Sequence, residues 1–478
     1  MEPNEITPPS APEGLHADTI CAVSTAPGVG GIAVVRVSGN DAFRIVGSIW
    51  LGKHPADVAS HTAHLGRVVD SGGEPLDQCV ATVFRGPASF TGQDTVEISC
   101  HGSRYVQREL LASLLKAGAR LAEPGEFTRR AFISGHLDLA QAEAVADVIA
   151  SNSRAAHRLA LTQLRGGFSK RLAELRAALV DLASLLELEL DFSEEEVEFA
   201  SRRQLLTLAR QVCDEVIRLQ RSFAGGQAIK NGLPIAIVGA TNAGKSSLLN
   251  ALLGDDRAIV SDIHGTTRDT IEETLEVGDY TFRFIDTAGL RDTSDPVEKI
   301  GIGRSLEAVG RAMIAVYVVD PQQPLDPQAA QAVSDRLNPQ LPTRLIVVEN
   351  KVDLQGIQPD VRNEIRRIAE RLNAPLISLS AKTGEGLGQM RDLLQSIAKE
   401  VTGNADEDLL VTNARHAAAL AQASDSALRV VEGLEANLPG DLIAQDLRET
   451  ITHLSAITGD ISSPEILATI FSRFCIGK

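Results

Sequence analysis

The sequence predicts a multidomain protein of α+β and α/β class, with an N-terminal α+β domain, a split α-helical domain and an inserted α/β domain. Length is the first indication, because 478 residues suffice for about three domains of ordinary size. The second is the order of patterns along the chain, in which short β-rich runs give way to helical periodicity and then to strand–helix alternation. The predicted boundaries are 1–136 for the N-terminal domain, 137–228 and 401–478 for the two helical parts, and 229–400 for the insert.

The N-terminal segment contains short apolar runs separated by turn residues. Residues 31–38 and 95–99 are expected to be strands, and a helix is expected after Tyr105. This mixture is typical of a small α+β domain.

Helical periodicity dominates from about residue 137. One set of leucines recurs every three or four residues, which predicts a buried stripe on a helix; its members are Leu172, Leu175, Leu179, Leu182 and Leu186. After residue 401 the chain becomes helical again, with candidate core positions at Leu442, Leu447, Ile451 and Leu454. Helices on either side of an insert can pack together, because the ends of a domain often lie close in space.

Between residues 229 and 400, apolar strands alternate with amphipathic helices. Such alternation predicts a mainly parallel sheet with helices on both faces. The strands are expected at 234–238, 281–285, 314–319, 344–348 and 376–379.

Composition and charge exclude several classes of protein. Five cysteines occur singly, which favours a reducing compartment over a disulfide framework or a structural zinc site. The first residues lack the apolar segment of a signal peptide, and no apolar run approaches the roughly 20 residues of a membrane span. We therefore expect a cytoplasmic protein with no membrane association. A net charge of −17 argues against a stand-alone nucleic-acid coat, although a local patch or a more basic partner could still contact RNA.

A phosphate-binding loop follows the first predicted strand of the insert. Residues 239–246 read GATNAGKS, which fits the pattern G-x-x-x-x-G-K-[ST], and a helical pattern follows at 247–253. Glycines in such a turn let backbone N–H groups surround phosphates at the start of a helix. Lys245 is expected to reach the β- and γ-phosphates, and the Ser246 hydroxyl to ligate Mg²⁺. The loop's nucleotide contacts are expected from Asn242, Ala243, Gly244, Lys245, Ser246 and Ser247.

Later segments have the order and position of the remaining loops of a GTPase. Residues 286–289 (DTAG) supply an acid for the Mg²⁺ shell and a glycine N–H for the γ-phosphate, and 265–269 lies in the place of a switch segment. Residues 350–353 (NKVD) offer a carboxylate that can accept both N1–H and the 2-amino group of guanine. Residues 380–382 (SAK) complete the base pocket. Together they predict GTP as the substrate, with contacts from Asp286, Thr287, Ala288, Gly289, Asn350, Lys351, Asp353, Ser380, Ala381 and Lys382.

Position 290 is informative because its residue cannot assist hydrolysis. A Ras-like enzyme has a water-orienting glutamine directly after the 286–289 loop, whereas this chain has Leu290. Hydrolysis therefore needs another polar group, and a positive charge in place of an arginine finger worth about 10³–10⁵ in rate. The residues themselves leave the choice open among Arg291, Asp292, Asp295, Glu298 and Lys299.

Two stretches of the insert resemble the Era-like GTPases, namely 239–250 (GATNAGKSSLLN) and 263–269 (IHGTTRD). Three further stretches resemble the MnmE (TrmE) family of tRNA-modification GTPases. They are 90–94 (FTGQD), 124–132 with 137–143 (PGEFTRRAF and LDLAQAE), and the terminal 474–478 (FCIGK). The resemblance covers roughly residues 19–478.

This resemblance implies a fold and a set of partners. The N-terminal domain would bind folate and dimerise, and the insert would be a Ras-like P-loop G domain. The homodimer would work with the FAD-containing MnmG (GidA), in a heterotetramer-type complex, to place a (carboxymethyl)aminomethyl group at C5 of the wobble uridine of certain tRNAs. The implied cofactors are Mg²⁺, K⁺ and a one-carbon folate similar to 5-formyl-tetrahydrofolate.

The resemblance also implies a route to hydrolysis. Family members are stimulated by K⁺ and by pairing of G domains, and a monovalent cation can supply the missing charge. Glu298 matches the family's catalytic carboxylate, acting on water as a general base or through a second water. The family usually has threonine where this chain has Ser261, but the hydroxyl is kept. K⁺ would be held by Asn242, Ser261, Ile263 and Thr266, Mg²⁺ by Ser246 and Thr267, and the switch loop would contact GTP through Ser261, Asp262, Ile263, His264, Gly265, Thr266 and Thr267.

Outside the insert, the resemblance identifies folate positions and a cysteine. Arg36, Glu97 and Lys478 match the folate site, with a cation for the glutamate tail and a carboxylate for the pterin edge. A further position is commonly lysine but here is His136, whose contact would weaken near neutral pH because a free histidine titrates near ~6.5. Cys475 matches a terminal cysteine with a role in the modification chemistry, and a buried free thiol is the alternative.

Two other functions stay open on the sequence. An Era-type ribosome-assembly GTPase would carry a C-terminal RNA-binding module of KH type, whereas residues 401–478 look helical and contain no GXXG loop. A folate-binding scaffold that only senses nucleotide would bind GTP without turning it over.

Overall fold

The computed structural model of the chain describes residues 18–191, 202–254, 273–285, 306–338, 341, 343–403, 409–460, 464–472, 474 and 477. These residues divide into two units, each with its own sheet. The first unit contains residues 18–149, 162–177 and the described residues from 451 onward. The second contains 150–161 and the described residues of 178–450.

The strands lie in two blocks of the chain, one in each unit. Those of the first unit are β1 (Ile20–Val23), β2 (Gly30–Ser38), β3 (Trp50–Leu51), β4 (Thr62–Val69), β5 (Pro75–Phe84), β6 (Thr95–Gly102) and β7 (Arg120–Leu121). Those of the second are β8 (Leu233–Gly239), β9 (Glu273–Val277), β10 (Tyr280–Phe284), β11 (Ile314–Val319), β12 (Arg344–Glu349) and β13 (Leu376–Ser378).

Helices lie between the strands of each block, between the two blocks and after the second one. In chain order they are α1 (Ala42–Ile49), α2 (Arg104–Lys116), α3 (Glu126–Ile133), α4 (Leu139–Ala150), α5 (Arg154–Leu164), α6 (Gly167–Asp191), α7 (Arg202–Arg221), α8 (Phe223–Asn231), α9 (Lys245–Leu253), α10 (Pro327–Asp335), α11 (Pro359–Arg371), α12 (Leu387–Thr402), α13 (Ala414–Glu435), α14 (Gly440–Thr458) and α15 (Pro464–Phe471).

Among its described residues, the first unit holds a seven-stranded sheet in the order β3-β4-β5-β6-β2-β1-β7, antiparallel except for the β1–β7 pair. Helices α1 and α2 cover one face, where Ile45 and Leu114 belong to the same core as Val35 and Val37 of β2. Because side chains alternate along a strand, Arg36 faces the other side. The strands predicted at 31–38 and 95–99 and the helix after residue 105 are confirmed.

Helix α6 carries the leucine stripe that the sequence predicts. The spacing of three and four residues keeps these side chains on one side of the helix. All are at most 5% exposed: Leu172, Leu175, Leu179, Leu182 and Leu186. The predicted stripe is therefore confirmed.

The second unit holds, within its described part, a six-stranded sheet in the order β13-β12-β11-β8-β10-β9, parallel except for the β9–β10 hairpin. Helices α9 and α12 cover one face, and α10 and α11 cover the other. Strands buried on both faces are nearly continuous in apolar residues, as in β11 (IAVYVV). The five predicted strands are confirmed. The sequence did not predict β9, because only Leu275 and Val277 of its five residues are buried.

Helix α7, which precedes strand β8, packs along α13, which follows α12. Arg202 of α7 donates to the carbonyl oxygen of Leu438 just beyond α13 at 2.8 Å, and Arg210 pairs with Glu435. How the chain divides into the predicted domains stays a prediction.

One core position predicted in α14 is wrong. Leu442 is 49% exposed, whereas Leu447 and Leu454 are buried and Ile451 is half-buried. The buried side begins at Ile443 and continues at 447, 450, 454 and 457, in steps of four and three residues. Leu442 lies one residue, or about 100°, away from that stripe.

Candidate nucleotide-binding site

The turn between β8 and α9 adopts backbone angles that require its glycines. Gly239 (φ +147°) and Gly244 (φ +94°) lie in a region that other residues rarely adopt. A Cβ on Gly244 would lie 2.2 Å from Asn350 Nδ2, and one on Gly239 would lie 2.2 Å from the carbonyl oxygen of Val318. Asn242 has φ +62°, which asparagine tolerates better than most residues. The turn is thus held close to the neighbouring strand ends.

Helix α9 begins at Lys245, directly after this turn. The first N–H groups of a helix lack intrahelical partners and carry partial positive charge, which suits a phosphate. Nζ of Lys245 donates to the carbonyl oxygens of Gly239 at 3.0 Å and Ala240 at 2.9 Å, and burial lowers its pKa. Ser246 is half-buried and Ser247 is exposed in the same turn of helix.

Asn350 joins three loops of the predicted site. Its Nδ2 donates to the carbonyl oxygen of Ala243 at 2.9 Å, within the phosphate loop. Its Oδ1 accepts from the backbone N–H of Lys351 at 2.8 Å and of Ala381 at 3.0 Å. The residue is only 1% exposed. A single buried amide therefore fixes the glycine-rich turn, the 350–353 loop and the 380–382 loop relative to one another.

Lys351 forms a second contact between the 350–353 loop and the phosphate loop. Its backbone has φ +63°, and its Nζ donates to the carbonyl oxygen of Asn242 at 2.8 Å and to Oδ2 of Asp320 at 2.6 Å. Asp320 follows β11, and its side chain is only 4% exposed. The ammonium group is thus held between a buried carboxylate and the turn.

The two residues expected at the guanine edge are in contact. The Ser380 hydroxyl donates to Asp353 Oδ1 at 2.6 Å and accepts from the backbone N–H of Thr383 at 3.2 Å. Ser380 is fully buried, so this bond orients the carboxylate. Lys382 is exposed beside them.

Sequence reasoning missed two acids that support these loops, Asp320 and Glu349. Glu349 is 4% exposed; its carboxylate accepts from the Ser378 hydroxyl at 2.6 Å and from Arg362 Nε at 3.2 Å. Each acid stands at the carboxyl end of a buried parallel strand, where the loops of such a sheet converge on ligands. That position is the signal that could have found them.

Part of the predicted site lies outside the described residues. This applies to the switch segment Ser261, Asp262, Ile263, His264, Gly265, Thr266 and Thr267, to the loop Asp286, Thr287, Ala288, Gly289 and Leu290, and to Glu298, Cys475 and Lys478.

In the first unit, Arg36 and Glu97 lie opposite each other on β2 and β6. Nε of Arg36 donates to Glu97 Oε1 at 2.8 Å, and the two side chains are 17% and 28% exposed. The guanidinium carbon also lies 5.6 Å and 5.5 Å from the ring centroids of Phe90 and Phe127. Sequence reasoning gave the two charges separate partners in a ligand, whereas here they pair with each other.

Two other segments approach the same sheet. The exposed His136 lies against the 90–94 loop, since a Cβ on Gly92 would be 2.8 Å from His136 Cδ2. Gly477 lies at the end of β1, where its carbonyl oxygen accepts from the Ser24 hydroxyl at 3.1 Å. The C-terminal segment is therefore a neighbour of the strand next to Arg36.

The described part of the chain contains neither a reactive cysteine nor a group of side chains that could form a metal site. Four cysteines there are free and buried: Cys21, Cys79, Cys100 and Cys213. Burial raises the pKa of Cys21 and of Cys100 to about 11, so these thiols are poor nucleophiles at neutral pH. Over the same residues, no cluster of His, Cys, Asp and Glu side chains could hold a metal by itself, and no helix has both the length and the apolar character of a membrane span.

Two family profiles match the chain. That of the MnmE helical domain matches residues 139–475, and that of the N-terminus of the GTP-binding protein TrmE matches residues 19–136. Curated relatives named tRNA modification GTPase MnmE align over nearly the whole chain. The protein of Parabacteroides distasonis is 49% identical over 96% of this chain and 100% of its own length. That of Bacteroides fragilis is 47% identical over 97% and 100%, and that of Christiangramia forsetii 46% over 96% and 99%.

Solved structures give a weaker similarity. The apo form of translation elongation factor SelB from Methanococcus maripaludis aligns with 35% of this chain and 34% of its own, at 20% identity and a TM-score of 0.26.

Proposed function

This chain belongs to the MnmE family of tRNA modification GTPases, and we propose that it couples GTP hydrolysis to modification of the wobble uridine of certain tRNAs. As a member of that family it is a GTP-hydrolysing enzyme. The observation that carries the location of the site is the buried amide of Asn350, which joins the phosphate loop to the 350–353 and 380–382 loops. Such a junction suits a ligand with phosphates at one end and a base at the other.

For the guanine base we propose Asp353 as the recognition group. Its carboxylate is oriented by Ser380 and can accept from N1–H and the 2-amino group together, a pair of donors that adenine lacks. Asn350, Lys351, Ala381 and Lys382 complete this pocket. The phosphates then lie along the turn formed by Asn242, Ala243, Gly244, Lys245, Ser246 and Ser247, where the N–H groups of α9 and the Lys245 ammonium supply positive charge.

The phosphate loop and the predicted switch segment contain oxygen groups that suit two cations. We propose Ser246 and Thr267 as ligands of Mg²⁺, which prefers oxygen ligands and usually retains substrate phosphates in its shell; when bound, it neutralises charge on the β- and γ-phosphates. For K⁺ we propose Asn242, Ser261, Ile263 and Thr266, whose amide, hydroxyl and carbonyl oxygens can replace an ion's hydration shell. The backbone carbonyl of Asn242 accepts from Lys351 Nζ, which fixes the position of this residue within the turn.

Glu298 is our proposed catalytic carboxylate. Leu290 stands where a water-orienting glutamine would be, so another group has to direct the attacking water. A carboxylate from the residues that follow position 290 can accept a proton from that water, directly or through a second water. Residues 242–247 would then hold the phosphates while Glu298 acts only on the nucleophile.

We test the chemistry by GTP hydrolysis in K⁺ and in Na⁺ at equal ionic strength. K⁺ should support turnover and Na⁺ should not. Replacing Glu298 by alanine should lower kcat by about 10²–10⁴, the usual contribution of a general base, with GTP affinity unchanged. Asp295→Ala, three residues earlier in the sequence, is the control and should keep most of the activity. Equal losses of kcat and GTP affinity in Glu298→Ala would assign that residue a structural role, and wild-type protein inactive in both salts would contradict the activity.

The biological step is proposed to require a partner. We propose a homodimer acting in the cytoplasm with the FAD-containing MnmG, which fits a chain of net charge −17 that would need a more basic surface to hold tRNA firmly. Deletion of the gene should remove the C5 modification from wobble uridines, as measured by nucleoside mass spectrometry. Unchanged wobble uridines would contradict the proposal.

We further propose a one-carbon tetrahydrofolate site in the first unit. Arg36 and Glu97 lie on the sheet face that α1 and α2 leave uncovered, next to Phe90 and Phe127, so charges and rings are available for a pterin and a glutamate tail. His136 and Lys478 are the further proposed contacts, and Cys475 is proposed for the modification chemistry. Arg36→Ala should abolish binding of 5-formyl-tetrahydrofolate by calorimetry. Arg44→Ala, at an exposed pair with Asp41, should not change it.

A further inference from the structure

Glu349 is a buried acid at the end of a strand whose other buried residues are apolar. Residues 345–348 of β12 read LIVV and are all buried, and the Glu349 side chain is only 6% exposed. Burying a carboxylate costs free energy unless hydrogen bonds or a charge partner compensate. An apolar residue could fill this place in a parallel sheet without that cost. Stability of the sheet alone therefore does not account for an acid here.

Two partners hold the Glu349 carboxylate, and one of them lies on the neighbouring strand. The Ser378 hydroxyl donates to Oε2 at 2.6 Å, and Arg362 Nε of α11 donates to Oε1 at 3.2 Å. Ser378 is paired with Glu349 in the parallel register of β12 and β13. β13 has three residues and lies at the edge of the sheet. With a single neighbouring strand, it depends strongly on cross-strand side-chain pairs for its position.

Both loops expected to contact guanine leave the sheet at this pair. Asn350 directly follows Glu349, and Ser380, which holds Asp353, lies two residues after Ser378. Sliding or separation of β13 from β12 would therefore move Ser380 relative to Asp353. A buried polar or charged group, such as the Glu349 carboxylate, is best attested in proteins as a device that fixes register rather than as a source of stability.

We propose that Glu349 is a positioning residue for guanine recognition, because its hydrogen bond to Ser378 fixes the spacing of the two base-contacting loops. This inference rests on the proposed role of Asp353. Glu349 contacts no phosphate-loop residue in the hydrogen bonds described above, so its loss acts on base binding and not on the chemical step. Losses of that kind raise KM and leave kcat unchanged.

The test compares GTP with inosine triphosphate, which lacks the 2-amino group that Asp353 is proposed to bind. The ratio of kcat/KM for the two substrates reports how well the carboxylate is placed. Ser378→Ala removes the donor from an exposed edge position and should preserve folding, checked by Tm. We expect its KM for GTP to rise about tenfold, the usual effect of losing one hydrogen bond to a charged group, with kcat unchanged and the GTP preference reduced several-fold.

Variants of the acid complete the test. Glu349→Val should reproduce the effect of Ser378→Ala, and the double variant should be no worse than either single one. Glu349→Gln keeps an acceptor for the Ser378 hydroxyl and should retain most of the GTP preference. The matched control is Arg367→Ala, which breaks an exposed pair with Glu364 on the same helix as Arg362 and should change nothing.

The outcomes separate this inference from the proposed site. An unchanged GTP preference in folded Ser378→Ala, or equal losses for both nucleotides, would overturn the positioning role. Wild-type protein with no preference for GTP over inosine triphosphate would instead remove the proposed guanine contact at Asp353. The inference is supported if the preference for GTP over inosine triphosphate falls in Ser378→Ala and Glu349→Val but is largely retained in Glu349→Gln.

Discussion

At the level of single residues, the neutral amide of Asn350 holds together the loops proposed to bind GTP. Asn350 uses both atoms of its side-chain amide on backbone groups of three different segments. A buried polar group with its partners in place rigidifies its surroundings, whereas one with a partner removed is costly. Gly244 lies against this amide, so we expect the absence of a side chain at position 244 to matter as much for the site as the amide itself.

Gly244→Ala should weaken GTP binding. The new Cβ would lie 2.2 Å from Asn350 Nδ2, and alanine is strained at φ +94° by about 1–3 kcal/mol. Displacing the Asn350 amide breaks its bond to the phosphate loop, so we expect the Kd for GTP to rise at least about tenfold. The control is Gly388→Ala in α12, where a Cβ meets nothing within 4 Å. GTP affinity equal in the two variants would contradict the role of the turn.

Asp320→Ala should also weaken GTP binding, through Lys351. Removal of this buried carboxylate leaves the Lys351 ammonium without the partner that aims it at the Asn242 carbonyl. Hydrogen bonds between charged groups contribute about 1.5–3 kcal/mol, so a loss of about tenfold or more in GTP affinity is expected by calorimetry. Asp320→Asn keeps an acceptor oxygen and should lose less. Equal effects of the two substitutions would show that the acceptor is not what matters.

At the level of elements, the sequence predicted those helices and strands whose burial follows a simple period. The leucine stripe of α6 fits only a helix with one buried side, and the apolar runs of β8 and β11 fit buried strands. Strand β9 was not predicted because only two of its five residues are buried and the others are polar or partly exposed. Leu442 was wrongly assigned to the core because the buried side of α14 begins one residue later, at Ile443. The periodicity of a segment does not show which other helix or strand packs against each of its faces.

Leu182→Ala and Leu442→Ala should differ sharply in stability. Leu182 is fully buried in α6, so its truncation should lower the free energy of unfolding by about 2–5 kcal/mol. Leu442 is half exposed, and its truncation should stay within about 0.5 kcal/mol. Urea unfolding followed by circular dichroism measures both. A large decrease in the free energy of unfolding of Leu442→Ala would show that Leu442 does belong to the core.

For the whole molecule, the loops of the site were more predictable than their supports. The 350–353 loop was predicted as a guanine contact because that chemistry dictates residue types at fixed spacing. Asp320 and Glu349 act through residues that are distant in sequence, and only the order of strands β11, β12 and β13 makes them neighbours. The pairing of Arg36 with Glu97 likewise depends on the register of β2 and β6.

Acid should destabilise the first unit through a buried carboxylate. Glu126 and Arg130 of α3 are each 1% exposed and paired at 3.0 Å, and Arg120 donates to both Glu126 oxygens. Burial raises the pKa of Glu126, but hydrogen bonds from Arg120, the Glu123 N–H and Arg130 outweigh it and hold the pKa below its usual value. This stabilisation is present above the ordinary glutamate pKa of about 4.3 and is lost as pH falls through the lowered value.

Urea unfolding of the first unit at pH 7, 4.5 and 3 measures this dependence. Wild type should lose stability between the last two points, and Glu126→Gln should be less stable at pH 7 and show a flatter profile. Glu109→Gln, at a pair whose arginine is 71% exposed, is the control and should follow wild type. A Glu126→Gln profile as steep as that of wild type would exclude this carboxylate as the cause.

The first unit is closed by a segment that is synthesised late. Its β1 is made at residues 20–23, yet Gly477, which lies against the end of that strand, emerges from the ribosome only after the entire second unit. Synthesis of the second unit can thus be complete while the first unit, which contains the earliest strands, still lacks its C-terminal residues. The contact between Ser24 and Gly477 joins residues more than 450 apart in sequence, so it can form only after the second unit has been synthesised. A chaperone that acts during translation would therefore be expected to shield the incomplete first unit rather than the second.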